Sequence, residues 1–322
     1  MFASVVRLGK SIWLWANNNC PWTNVYGFAR TLLALGTAST LIFNQTHILF
    51  RPGAGIPQFP VCKDVGVISI FCLGSGHLEI VRWIAVGILL VIASGWRPRY
   101  TAIFHWWISF SLNASALTLD GGDQITAVLT LLILPIALTD DRRWHWQSVS
   151  CKENLSLREC LLRVVALTGH IAIRLQVAIV YFHAAVGKLG VEDWVNGTVL
   201  YYWLTDPRVG LANWSKAIVP LFRTQFVAVI TWSAICLEIF LFMALVMPKV
   251  AWKYLLRAGI AFHVSIALTM GLISFSTAMI AALVLYLRPF EEEFAFSFAK
   301  NVFARKEMAE RMEPAGVDVV DA

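Results

Sequence analysis

A histidine and a lysine five residues apart, His183 and Lys188, close a long apolar run. The chain then turns through Gly190, Glu192, Asp193, Trp194 and Gly197 before the next hydrophobic stretch. Ionisable groups at the end of a membrane-length segment are a functional hypothesis by default, because charge there is costly unless it is paired or used. Lys188 has two readings. As an anchor, its aliphatic stem lies in lipid and its ammonium reaches the headgroups. As a base, it is a partly desolvated amine that accepts a proton from a substrate. Five residues on an unbroken helix rotate His183 about 140° away from Lys188. The two share a proton only if the helix ends between them, which Gly187 permits; otherwise His183 is a polar residue hydrogen-bonded between packed helices.

Asp123 is the third catalytic candidate. It follows Gly121 and Gly122, with Asp120 before them and Asn113 a turn or two below in the preceding segment. The glycines suit a turn that carries a carboxylate over a pocket, and Asp123 also reads as the N-cap of the next helix. Arg174, Glu238 and His263 fall inside apolar segments, where they are expected to face one another as an ion-pair network, a polar cavity or a proton relay. With Asn113 and Trp194 they make up the expected pocket. HExxH, GxSxG, a P-loop and a strand-borne GxGxxG are all missing, which removes the commonest metalloprotease, hydrolase and nucleotide chemistries.

The elements that position these residues must be membrane helices. Hydrophobic residues make up 58% of the 322-residue chain and charged residues 14%, against about 25% charged in a soluble domain. Mean hydropathy is +0.67. The fold class is therefore an all-α polytopic bundle of about eight spans, at 26–43, 80–95, 101–119, 124–138, 164–186, 224–247, 254–270 and 274–289. The last two form one run from Ala258 to Leu287 broken at Gly271, so a hairpin competes with a single tilted helix plus a re-entrant piece. Three regions follow: a cytoplasmic interfacial segment over 1–22, a transmembrane domain over 23–290, and a cytoplasmic tail over 291–322 whose Phe294, Phe296 and Phe298 suit an interfacial helix.

The net charge of +6 comes from basic residues scattered at the ends of apolar runs, which argues against a nucleic-acid partner and for topology signals. With both termini inside, 17 of the 26 Lys and Arg lie on the cytoplasmic side and seven outside, in line with the positive-inside rule. That gathers Asp120, Asp123, Lys188 and the 187–223 segment on the outer face. Cys62 and Cys72 share an outer loop and are expected to form a disulfide. Cys20, Cys151, Cys160 and Cys236 are expected to be reduced. No CxxC or zinc spacing occurs, and no metal is expected.

At these residues the chain resembles a known family. Tyr181, Gly187-Lys188-Leu189, Trp194 and Asn196-Gly197, together with Gly121-Gly122-Asp123, His263, Met270-Gly271-Leu272-Ile273-Ser274-Phe275 and Met279, resemble the horizontally transferred transmembrane domain shared with vitamin K-dependent gamma-carboxylase. Thr23-Asn24-Val25-Tyr26-Gly27-Phe28-Ala29-Arg30, Leu41-Ile42-Phe43-Asn44 and Phe50-Arg51-Pro52 are similar to the sporulation-delaying protein B family, bacterial membrane proteins needed to mature a secreted peptide toxin. The first resemblance places Lys188 on the lysine that acts as base on vitamin K hydroquinone. It does not import carboxylation, because the lumenal domain of that enzyme is missing here.

The expected function is maturation of a secreted antimicrobial peptide precursor at the outer face of a bacterial cytoplasmic membrane, with the precursor and a small protein of the same system as partners. Two other classes stay open: a lipid-quinone-dependent oxidoreductase or carboxylase-like enzyme, and a non-catalytic export or scaffold component. The residues name no cofactor.

Overall fold

A computed structural model describes residues 2–52, 60–117, 119–148, 155–206 and 213–295. Among them no strand forms, and the one β-bridge joins Trp96 to Trp144. Nine helices of 15 or more residues build the molecule: α1 (Phe2–Asn18), α2 (Asn24–Phe43), α3 (Leu78–Ser94), α4 (Pro98–Ser115), α5 (Gly121–Leu138), α6 (Leu157–Leu189), α7 (Phe226–Met243), α8 (Lys249–Met270) and α9 (Ile273–Leu287). Each of the eight expected apolar segments coincides with one of α2 to α9. Five helical stretches are long and apolar enough to cross a membrane: α2, Ser75–Ser94 including α3, α5, α6 and α7.

Local chemistry sets the helix ends. Ser156 and Glu159 form a reciprocal capping box at the start of α6, each side chain bonding the other's backbone N–H. From there α6 runs 33 residues, about 50 Å at 1.5 Å per residue, well beyond about 30 Å of hydrocarbon. Pro98 occupies the first turn of α4, where its missing N–H costs nothing. Gly95 closes α3 in the left-handed region at φ +90°, and a side chain there would also collide with the His145 ring. Gly271, at φ +73°, ends α8, and α9 starts two residues later and packs back on it. The run from Ala258 to Leu287 is thus a hairpin of two helices.

The core has two parts. α2 packs on α3, and α3 on α4, through Ala34, Ala38, Leu41, Leu89, Ile92 and Ile108. The larger part joins α2, α5, α6 and α9 through Tyr26, Leu33, Leu129, Val177 and residues Ala281 to Leu283. α9 is the innermost element, with ten of its 15 residues buried. α1 lies against the start of α6, where Arg163 Nη1 donates to the carbonyls of Ala16 and Asn17 at 3.2 Å, and it leaves Leu8, Ile12, Trp13 and Trp15 exposed.

Three expectations are corrected or delimited. Cys20 is disulfide-bonded, not reduced, although the expected topology puts it on the reducing side, where disulfides are rare. Cys151 lies outside the described residues, while Cys160 and Cys236 are free. Phe294 packs on Phe28 and Arg288 and its backbone pairs with the Asn24 side chain at 2.8 Å in both directions, so it is a docking residue of the bundle and no interfacial anchor. Phe296, Phe298 and the rest of the tail lie outside the described residues. Cys62 and Cys72 are joined, with Cα atoms 5.6 Å apart.

Candidate functional site

The residues at the end of α6 build the site upward from Tyr181. Tyr181, Ala184, Ala185 and Lys188 recur at three- and four-residue spacing and share one helix face. Along that face Lys188 sits seven residues, about 10 Å, beyond Tyr181. Its Nζ donates to both carboxylate oxygens of Glu238, at 2.7 and 2.8 Å, and to the Ala184 carbonyl at 3.2 Å. Glu238 is the thirteenth of the 18 residues of α7, so the pair lies well inside the bundle instead of at its rim. The Glu238 side chain is 7% exposed and that of Lys188 19%. Trp194, buried on the short helix Glu192–Val195, covers the ammonium with its ring centroid 5.0 Å from Nζ. A cation over an aromatic face gains electrostatically from the ring.

About two turns deeper, the Tyr181 hydroxyl and His263 Nε2 of α8 hydrogen-bond at 3.1 Å. His263 is buried and its Nδ1 has no partner. Both pairs line one cavity of about 950 Å³. Most of its wall is apolar, with Trp194, Trp203, Phe262, Phe275 and Met279 among the lining residues. That volume and an apolar wall with a few convergent polar groups are what a small-ligand or substrate site requires.

Asp120 completes the polar edge. Its Oδ1 accepts from the backbone N–H groups of Gly122 and Asp123, at 2.8 and 3.0 Å, and its Oδ2 accepts from the Ser274 hydroxyl at 2.9 Å. Asp120, not Asp123, is therefore the N-cap of α5, since a capping side chain reaches the second and third amides ahead of it and Asp123 is itself the third residue. Gly122 makes the approach of α9 possible, because a Cβ there would stand 2.5 Å from the Cα of Phe275.

The expected site residues divide cleanly. Lys188, Trp194, Glu238 and His263 meet at the cavity. Asp123 turns the other way, buried against α2, where its carboxylate accepts from the Thr40 hydroxyl at 3.1 Å. His183 is exposed on the far face of α6 beside Phe182, as the 140° rotation requires. Asn113 is exposed. Arg174 does not meet Glu238; its guanidinium lies over the Trp252 ring at 4.1 Å, toward the opposite end of the bundle. Tyr181 and Asp120 were missed as cavity residues. The three- and four-residue stripe from Tyr181 to Lys188 was the available signal for the first, and the cap position ahead of Gly121 for the second. Among the described residues no cluster of His, Cys, Asp and Glu is arranged to hold a metal.

An all-helical chain with five helices long and apolar enough to cross a membrane, packed around a largely apolar cavity, fits a helical membrane protein. The chain belongs to the SdpB-like family. It is 36% identical over 288 residues to the sporulation-delaying protein SdpB of Bacillus subtilis, covering 88% of this chain and 87% of that protein. It is also 37% identical over 304 residues to B. subtilis YitO, a protein of uncharacterised function, covering 93% and 96%. No family model and no solved structure matches it.

Proposed function

We propose that this protein matures a secreted antimicrobial peptide of the sporulation-delaying type, working from the outer face of the cytoplasmic membrane with a small partner protein. The observation that carries the reading is the Lys188–Glu238 pair inside a large cavity, in a chain that belongs to the family of SdpB. Asymmetry of basic residues supports an outward-facing cavity, since the Lys188 end of the bundle is the basic-poor end. In this reading Lys188 passes one proton to Glu238, accepts the substrate proton as the neutral amine, and Trp194 shields the pair from bulk water. His183 and Asp123, which lie off the cavity, have no contact with a substrate there.

The test is mass spectrometry of the peptide secreted by cells with wild-type protein, without it, and with Lys188→Arg. Arginine keeps the charge and much of the stem but does not deprotonate near neutral pH. The proposal expects mature peptide from wild type only, with Lys188→Arg inserted normally. Maturation at the wild-type rate by Lys188→Arg withdraws the base role, and full activity of Lys188→Ala turns the reading to a non-catalytic export component.

One observation favours a second class. The cavity wall is mostly apolar and its lysine matches the base of the carboxylase-like domain that the sequence resembles, which suits a lipid quinone as well as a peptide. Organic extraction of the purified protein distinguishes the two: co-purifying quinone supports a quinone-dependent enzyme.

A further inference from the structure

A second set of buried polar groups lies away from the cavity, between α2, α4 and α5. Two hydrogen bonds set its register. Thr40, near the end of α2, meets Asp123 at the start of α5, and Arg30 Nη2, ten residues earlier on α2, donates to Thr101 at the start of α4 at 2.6 Å. Ten residues rise about 15 Å, half the thickness of a bilayer's hydrocarbon. At about 1.5 Å per residue, Thr37, Thr126 and Ser109 fall at one height just below Asp123, and Thr130 and His105 fall at the next, above Arg30. All five are 1–2% exposed.

Four atoms at these successive heights have no partner within the protein: Thr37 Oγ1, Ser109 Oγ, His105 Nε2 and Arg30 Nε. A single orphaned polar group is costly in apolar surroundings. Ten such side-chain atoms occur among the described residues, and these four share the one set of facing helices. The stack is continued at both ends. Asp123 adjoins the Asp120 carboxylate at the cavity edge through its own amide. At the other end, Arg30 Nη1 lies 3.5 Å from His145 Nδ1, and beyond it the Tyr26 hydroxyl donates to Asp140, which Arg142 pairs at 2.8 Å.

We propose that this column, with water bridging the groups that do not bond one another directly, is a proton pathway joining the cavity to the opposite end of the bundle. Hydroxyl, imidazole and carboxylate groups both take and release protons. The competing account is that the hydroxyls only join helices, as they commonly do in membranes.

The experiment uses the full-length protein in liposomes that trap a pH-sensitive dye, with a potassium gradient and valinomycin to drive protons inward. It requires neither precursor nor partner, so it stands apart from toxin maturation. The expected result is acidification several-fold faster than in protein-free liposomes, returned to the protein-free rate by His105→Phe and by Asp123→Asn. Ser109→Ala removes one hydroxyl with almost no change in volume; if the other two variants fail to fold, a several-fold slowing by Ser109→Ala alone carries the proposal. Wild-type protein no faster than protein-free liposomes overturns it, as do folded variants that all conduct like wild type, or sodium crossing as fast as protons.

Discussion

Lys188 Nζ and the Glu238 carboxylate lie 2.7 Å apart on different helices, each side chain largely withdrawn from solvent. Taking both charges out of water is expensive, and their attraction offsets that cost only while both are present. Lys188→Met and Glu238→Ala are each expected to lower stability by about 3 kcal/mol, because each leaves one buried charge unpaired. The double variant Lys188→Met/Glu238→Ala should lose much less than the sum of the two, because neither charge is then left buried without its partner. Denaturation in detergent of all four proteins checks this, and strictly additive losses would refute the coupling.

Gly122 sets the distance between α5 and α9. Its Cβ-free backbone lets Phe275 approach and keeps Ser274 on Asp120. Gly122→Ala should cost about 1–3 kcal/mol through forced separation of the two helices. Ser274→Ala breaks the same hydrogen bond without the clash, so it should cost about 1 kcal/mol. Equal thermal midpoints for the two variants would count against the steric argument.

The excess of basic residues at the Arg142 end predicts that end to be cytoplasmic. A thiol probe that does not cross membranes should label a cysteine placed at Arg51 and spare one placed at Arg143. The reverse pattern inverts the protein and removes the cavity from the outer face.

His145, in the loop after α5, is buried, and burial with the nearby guanidiniums of Arg30 and Arg142 and the His105 ring holds its imidazole well below the usual value of 6.5. Above that value both folded and unfolded chains carry it neutral, and it contributes no pH dependence. Below it the unfolded chain takes up a proton that the folded protein refuses, so stability falls by up to about 1.4 kcal/mol per pH unit. Melting curves between pH 7.5 and pH 5 should show this decline, and His145→Gln should flatten it. A variant with an unchanged slope would assign the decline to other groups.

The helices themselves were legible because apolar runs of membrane length have few alternatives, and α2 to α9 all stand where such runs do. Side-chain partnership was less so. Counting along α6 from Arg174 places Lys188 at a membrane boundary, but α6 is longer than a span, and only packing against α7 reveals that Lys188 stands level with Glu238. Asp120 and Asp123 differ by three residues, and one backbone turn decides which faces the cavity. The Arg30, Asp140 and His145 cluster joins residues more than 100 positions apart, a proximity no local spacing announces.

α9 is only 15 residues long, about 23 Å, too short to span hydrocarbon by itself, yet it is the most enclosed helix in the molecule. Among the described residues it is also the last of the nine long helices in chain order. Until it arrives, α2, α5 and α6 lack the surface on which their larger shared core closes, and Ser274 has not reached Asp120. The shared core therefore stays open until α9 has been made. A chain that stops before Ile273 would leave the ribosome with its helices inserted but its cavity unformed, and membrane quality control would meet it as an unfinished bundle.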